Sequence, residues 1–182
     1  VTVTSGATEA IFCAVTAVVY PGDEVIVLEP AYDSYVPAID LNGGVPVFVT
    51  LEAPYFKIDW EKVKAKISPK TKDILINTPH NPVGTVFSKE DLDSLADIIR
   101  DKDIYIISDE VYEHIVFDGG VHHSMMTHPE LKERSFICNS VGKTYHVTGW
   151  KIGYCLAPAP LTKEFRRIHQ YITFCTVSPM QY

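Results

Sequence analysis

The side chains that could do chemistry cluster in a few short stretches, most of them just past an apolar run. Lys143 stands in Ser140-Val141-Gly142-Lys143, directly after Phe136-Ile137-Cys138. A lysine there borders a desolvated region, where the neutral amine that condenses with an aldehyde is favoured. Ser140 adds a hydroxyl, and Gly142 lets backbone approach closely. Taken alone, Lys143 reads as an ordinary solvated lysine. Asp109 follows Ile106-Ile107-Ser108, with Tyr112 three residues on. Its carboxylate is either the N-cap of a following helix or the partner of a ring nitrogen, and Tyr112 could then reach a phenolic oxygen of the same ring. Asn77-Thr78-Pro79-His80-Asn81-Pro82-Val83-Gly84 is a rigid turn that could aim the Asn81 amide at a ligand oxygen. Ser5-Gly6-Ala7-Thr8-Glu9 joins a strand to a helix and offers the free amides of Ala7 and Thr8 as an anion seat. Lys151, in Thr148-Gly149-Trp150-Lys151, is either the cation for that anion or an exposed lysine before a strand. Tyr32, in Pro30-Ala31-Tyr32, is either packing or a plate for a planar ring.

Together these are the parts that pyridoxal-5′-phosphate (PLP) chemistry requires: an amine for the aldehyde, an acid for the pyridine nitrogen, and donors with a cation for the phosphate. Other chemistries find less support. The Gly-containing junction matches neither GxGxxG nor GxxxxGK[ST], which argues against dinucleotides and against a Walker-type ATP loop. Cys13, Cys138, Cys155 and Cys175 show no CxxC pair or zinc spacing, and all are expected to be buried free thiols of a reducing compartment. His122 and His123 are adjacent rather than at i, i+4, so no metal is expected.

The elements that must position these groups alternate. Val1 to Thr4, Val25 to Leu28, Val45 to Val49, Ile74 to Ile76, Ile104 to Ile107, Phe136 to Cys138 and Ile152 to Leu156 read as strands. Several are apolar throughout, as when both faces of a sheet are covered. Helical patterns run over Thr8 to Val19, Tyr35 to Leu41, Trp60 to Ile67, Lys89 to Asp101 and Leu161 to Phe174, with Asp59 and Ser88 as N-caps. The alternation predicts α/β layering on a sheet covered on both faces, with the site at strand ends. At 182 residues, 46% hydrophobic and 21% charged, the chain suits one buried domain. A net charge of −7 speaks against a nucleic-acid or anionic-membrane partner. No apolar run approaches a membrane span, and no signal segment is seen. The chain opens in a strand and stops at Pro179-Met180-Gln181-Tyr182 without a closing element, so it reads as a piece of a longer chain.

The stretches Ile107-Ser108-Asp109-Glu110-Val111-Tyr112-Glu113-His114 and Gly142-Lys143-Thr144-Tyr145-His146-Val147-Thr148-Gly149-Trp150-Lys151-Ile152-Gly153-Tyr154, with the junctions above, closely resemble class I aminotransferases of fold type I. The likeness is greatest to the methionine-preferring and kynurenine/glutamine branches, and it runs in order from Val1 to Tyr182. It implies that residues 1–182 are a partial PLP-binding large domain, an α/β three-layer sandwich with a mostly parallel mixed sheet, lacking an N-terminal arm and a C-terminal small domain. It implies that Lys143 carries PLP as an imine and later serves as general base, that Asp109 pairs with the pyridine nitrogen, and that Tyr112 and Asn81 bond the phenolic oxygen. Ala7, Thr8, Ser140 and Lys151 would hold the phosphate, and Tyr32 would stack on the ring. Many relatives carry Arg where this chain has Lys151, which loses bidentate binding but keeps the charge. The resemblance further implies an amino-acid and 2-oxo-acid substrate pair, methionine-like or aromatic, a cytoplasmic homodimer, and a fragment inactive by itself. A PLP-dependent carbon–sulfur β-lyase and a non-catalytic regulatory module are the alternatives.

Overall fold

In a computed structural model, which describes residues 1–181, the apolar runs pair into one seven-stranded sheet. The strands are β1 (Thr2–Thr4), β2 (Glu24–Glu29), β3 (Val45–Thr50), β4 (Thr71–Asn77), β5 (Tyr105–Asp109), β6 (Ser135–Ser140) and β7 (Gly153–Leu156), in spatial order β1-β7-β6-β5-β4-β2-β3. The ladders from β3 through β2, β4 and β5 to β6 are parallel, while β7 pairs antiparallel with both β6 and β1. This is the mostly parallel mixed sheet that the resemblance implies.

Helices α1 (Ala7–Val18), α2 (Tyr35–Leu41), α3 (Trp60–Lys66), α4 (Lys89–Ile99), α5 (Val141–Thr144) and α6 (Ala159–Ile172) cover it. The two-residue period of the strands sorts each apolar run between two cores. Val25, Val27, Leu75, Ile107, Phe136, Cys138 and Cys155 face α1, α2 and α6 on one side. Ile26, Leu28, Ile74, Ile76, Ile106 and Ile137 face α3 and α4 on the other, with Met125 and Leu131 from two short 3-10 turns. Helix, sheet and helix form the three layers. No helix is long and apolar enough to cross a membrane among the described residues.

Local chemistry sets the helix ends. Asp59 accepts the amides of Glu61 and Lys62 at 3.1 and 3.2 Å, and Ser88 with Asp91 closes a reciprocal capping box. α6 starts at Ala159, two residues before the expected Leu161, because Pro158 and Pro160 suit a helix entrance that needs no amide donor. It stops at Ile172 rather than Phe174, which turns left-handed at φ 65°. Asp109 is not a helix N-cap: it ends β5, and the chain continues as a turn, its carboxylate accepting the Val111 amide at 3.3 Å. Cys13, Cys138 and Cys155 are buried as expected, but Cys175 is exposed, since it lies past the end of α6 on the surface.

Candidate active site

A parallel sheet collects the carboxyl ends of its strands along one edge, and this edge holds the site. β4 ends at Asn77, β5 at Asp109 and β6 at Ser140. The antiparallel β7 enters the sheet at the same edge, so its first residue, Gly153, sits between Thr4 of β1 and Ser140 of β6. That reversal carries Lys151, two residues upstream, to the N-terminus of α1. Gly153 has no room for a side chain. A Cβ there would lie 2.6 Å from Asn139 O, 2.6 Å from Gly6 C and 2.7 Å from Ala7 N.

The β1–α1 junction sets a helix N-terminus beside a cation. Gly6 caps α1 at φ 83°, and no side chain caps the helix, so the amides of its first turn stay open. A Cβ on Gly6 would come within 3.3 Å of Lys151 Nζ, so the ammonium hangs directly over this helix end. Lys151 holds its position from a left-handed backbone at φ 52°. Ser140 caps the short α5, accepting the Gly142 amide at 3.1 Å, and Gly142 packs against Thr148 too closely for any Cβ.

Asp109 is 4% exposed. Tyr35 Oη donates to its Oδ2 at 2.6 Å, whereas among the described residues Oδ1 receives only the long contact from the Val111 amide. Burial raises the Asp109 pKa to about 6 from an ordinary 3.8. The bonds from Tyr35 and Val111 and the charge of Lys143 oppose that rise, and neighbouring Glu110 adds to it. Asn77 braces the group from β4, its Nδ2 donating to Asp109 O at 2.9 Å while its Oδ1 accepts the Asn81 amide at 2.6 Å. The loop after β4 is thereby tied to the end of β5.

Ala7, Thr8, Tyr32, Asn81, Asp109, Tyr112, Ser140, Lys143 and Lys151, every residue singled out from sequence, line this one cavity. Lys143 Nζ lies 5.7 Å from the centroid of the Tyr112 ring. Tyr32 meets Tyr35 edge-on, with centroids 5.7 Å apart. One expectation is corrected. Lys143 is exposed rather than desolvated, because α5 has four residues and carries it on the open rim, not on the apolar strand before it. Tyr35, Asn77, Ile11 and Val111 also line the cavity and were missed. Tyr35 reads in sequence as an apolar position of an amphipathic helix; only the position of Asn77 at a strand end, level with Asp109, gives a signal.

A wider apolar groove lies alongside, sharing Asn81 and Tyr112 with the cavity and lined further by Phe87, Val116, Phe117 and Val121. His80 faces it with a pKa lowered to about 4 by burial, which keeps the ring neutral. Glu110, Glu113 and His122, on the segment after β5, bring two carboxylate oxygens and an imidazole nitrogen within 4.8 Å of one another. Glu110, fully buried, is occupied by internal partners: it accepts Ser108 Oγ at 2.9 Å and the Met125 amide at 3.0 Å, and its other oxygen lies 2.9 Å from His122 Nε2. The cluster works as a clasp on the segment after β5.

The family model for aminotransferase class I and II matches residues 1–182. The methionine aminotransferase of Escherichia coli is 50% identical over 181 residues, covering 100% of this chain and 47% of that protein. The kynurenine–oxoglutarate transaminase of Dictyostelium discoideum is 40% identical over 193 residues, covering 97% of this chain and 44% of its own. A crystal structure of an Escherichia coli protein with a methionine aminotransferase function superposes with a TM-score of 0.97 at 50% identity, covering 98% of this chain and 47% of that one. The chain spans about half the length of the curated relatives it matches.

Proposed function

The chain belongs to the class I and II aminotransferase family, and on that premise we propose that it is the cofactor-holding part of a PLP-dependent transaminase acting on an amino acid and a 2-oxo acid. The observation that carries the proposal is the convergence, in one cavity, of a buried carboxylate, an amine and a helix N-terminus under an ammonium. These are three differently charged ends, and PLP has a matching group for each. Its pyridine nitrogen suits Asp109, whose buried carboxylate keeps one oxygen short of good donors. Its phosphate suits the open amides of Ala7 and Thr8, Ser140 and Lys151. Its aldehyde suits the Lys143 amine, its phenolic oxygen Asn81 and Tyr112, and its ring face Tyr32.

When bound, PLP supplies a conjugated ring that accepts the electron pair left when an amino acid loses its Cα proton. The chain's own residues do the rest. Lys143 Nζ would hold the cofactor and, as a free amine, would take the Cα proton as general base. Asp109, while ionised, would keep a proton on the ring nitrogen. Lys151 and the start of α1 fix the opposite end, so the reacting carbon stays within reach of Lys143. The 40–50% identity to transaminases named for methionine and kynurenine supports methionine-like or aromatic substrates and favours transfer over carbon–sulfur cleavage. A homodimer completed by segments outside this chain is part of the same reading.

The test is spectroscopic. The full-length protein with PLP should absorb in the visible, and Lys143→Ala should abolish that band while leaving the fold intact by circular dichroism. An unchanged band in the variant would remove Lys143 from its role.

A further inference from the structure

Tyr35 lies outside every motif that pointed to the site, yet it makes the shortest contact to the central carboxylate. It is the first residue of α2, 74 positions before Asp109, and only 2% exposed. A buried phenol needs a hydrogen-bond partner. This one donates to Asp109 Oδ2 at 2.6 Å, a length typical of an O–H donor to a charged carboxylate. The two carboxylate oxygens thus differ: Oδ2 is held by Tyr35, and among the described residues Oδ1 has only the Val111 amide at 3.3 Å. On the PLP reading above, we propose that Tyr35 is a positioning residue, which anchors Oδ2 so that Asp109 presents Oδ1, still ionised, to the ring nitrogen of the cofactor.

The surroundings of Asp109 make this bond consequential. Burial and the adjacent Glu110 both favour the protonated acid, which could not hold a proton on a ring nitrogen. The Cys138 thiol of β6, paired in register with Asp109, is buried with its pKa pushed up, so it stays neutral and adds no negative charge beside the carboxylate. Against burial stand the Val111 amide, Lys143 from α5, and Tyr35, whose bond is the largest of the three. Burial and the carboxylate push the Tyr35 hydroxyl well above its ordinary range, so it remains a donor at any working pH. A purely space-filling tyrosine would serve the core equally well as phenylalanine. The position would then tolerate loss of the hydroxyl, and Asp109 would titrate as before.

That difference is measurable without turnover. In the cofactor-free full-length protein with carboxyl-labelled aspartate, NMR follows the Asp109 titration, its signal identified by loss in Asp109→Asn. Tyr35→Phe should move the midpoint up by about one to two pH units, the equivalent of one hydrogen bond to a charged group. Replacing Tyr35 with 3-fluorotyrosine, a stronger donor of nearly the same shape, should move it down, which keeps the idea testable if the phenylalanine variant folds poorly. PLP affinity should fall severalfold in Tyr35→Phe. An unmoved midpoint overturns the proposal, whatever happens to thermal stability. A moved midpoint with unchanged PLP affinity also overturns it, by severing the link to the cofactor. Failure of the Lys143→Ala absorbance test would instead sink the PLP reading itself.

Discussion

Replacing Asp109 with Asn in the cofactor-free full-length protein should stabilise the fold at neutral pH while ending tight cofactor binding. The carboxyl is buried at 4% exposure, and its pKa stands near 6 in the folded chain against 3.8 ordinarily. Because the folded value is the higher one, the native state binds this proton more tightly than the unfolded state. The stability linked to it is complete below about pH 4 and is lost as pH rises through about 6. A shift of about two units, at about 1.36 kcal/mol each, makes the ionised group cost roughly 3 kcal/mol at pH 7. Asparagine removes that cost but accepts the Tyr35 hydroxyl more weakly, so roughly 3 kcal/mol is an upper bound. Urea denaturation of both proteins from pH 4 to pH 8 measures the gap. It should be near zero at pH 4, open between pH 4 and 6, and level off above. Comparison with the parent cancels the exposed carboxylates Glu90 and Glu130, which shift the opposite way in both proteins. A gap that does not change with pH, or a variant less stable at pH 7, would refute the claim that Asp109 is held ionised against its environment. On the proposed function, that cost would be offset by a cationic partner in the same dry site.

Two further outcomes follow from the packing. Gly153→Ala places a methyl within 2.6–2.7 Å of backbone on β6 and on the β1–α1 junction, where nothing flexible can yield. It should lower stability by roughly 3 kcal/mol or more in a urea melt and weaken PLP binding, because the α1 N-terminus must shift; a neutral substitution would show that this approach is not structural. Glu110→Ala strands the Ser108 hydroxyl, the Met125 amide and His122 in a buried site, at a cost of roughly 3 kcal/mol. Limited proteolysis should then cut between residues 112 and 124, and persistent resistance there would mean that other contacts hold the segment.

Much of this was legible in one dimension. Continuous apolar runs such as Val25 to Leu28 announce a sheet covered on both faces, and the caps at Asp59 and Ser88 mark helix starts, because these are consequences of local periodicity and backbone hydrogen bonding. The residues of the site were also nameable, since in a parallel sheet the positions just past strand ends must share one edge. What stayed hidden depends on contacts between distant segments. Tyr35 looks like any buried helix residue until α2 packs over β5 and its hydroxyl meets Asp109. The clasp of His122 on Glu110 forms only when the segment after β5 folds back. The openness of Lys143 follows from the four-residue helix that carries it, which strand patterning does not reveal. Periodicity is written residue by residue along the chain, whereas burial, and with it the charge state of a carboxyl, exists only once other segments have displaced the water around it.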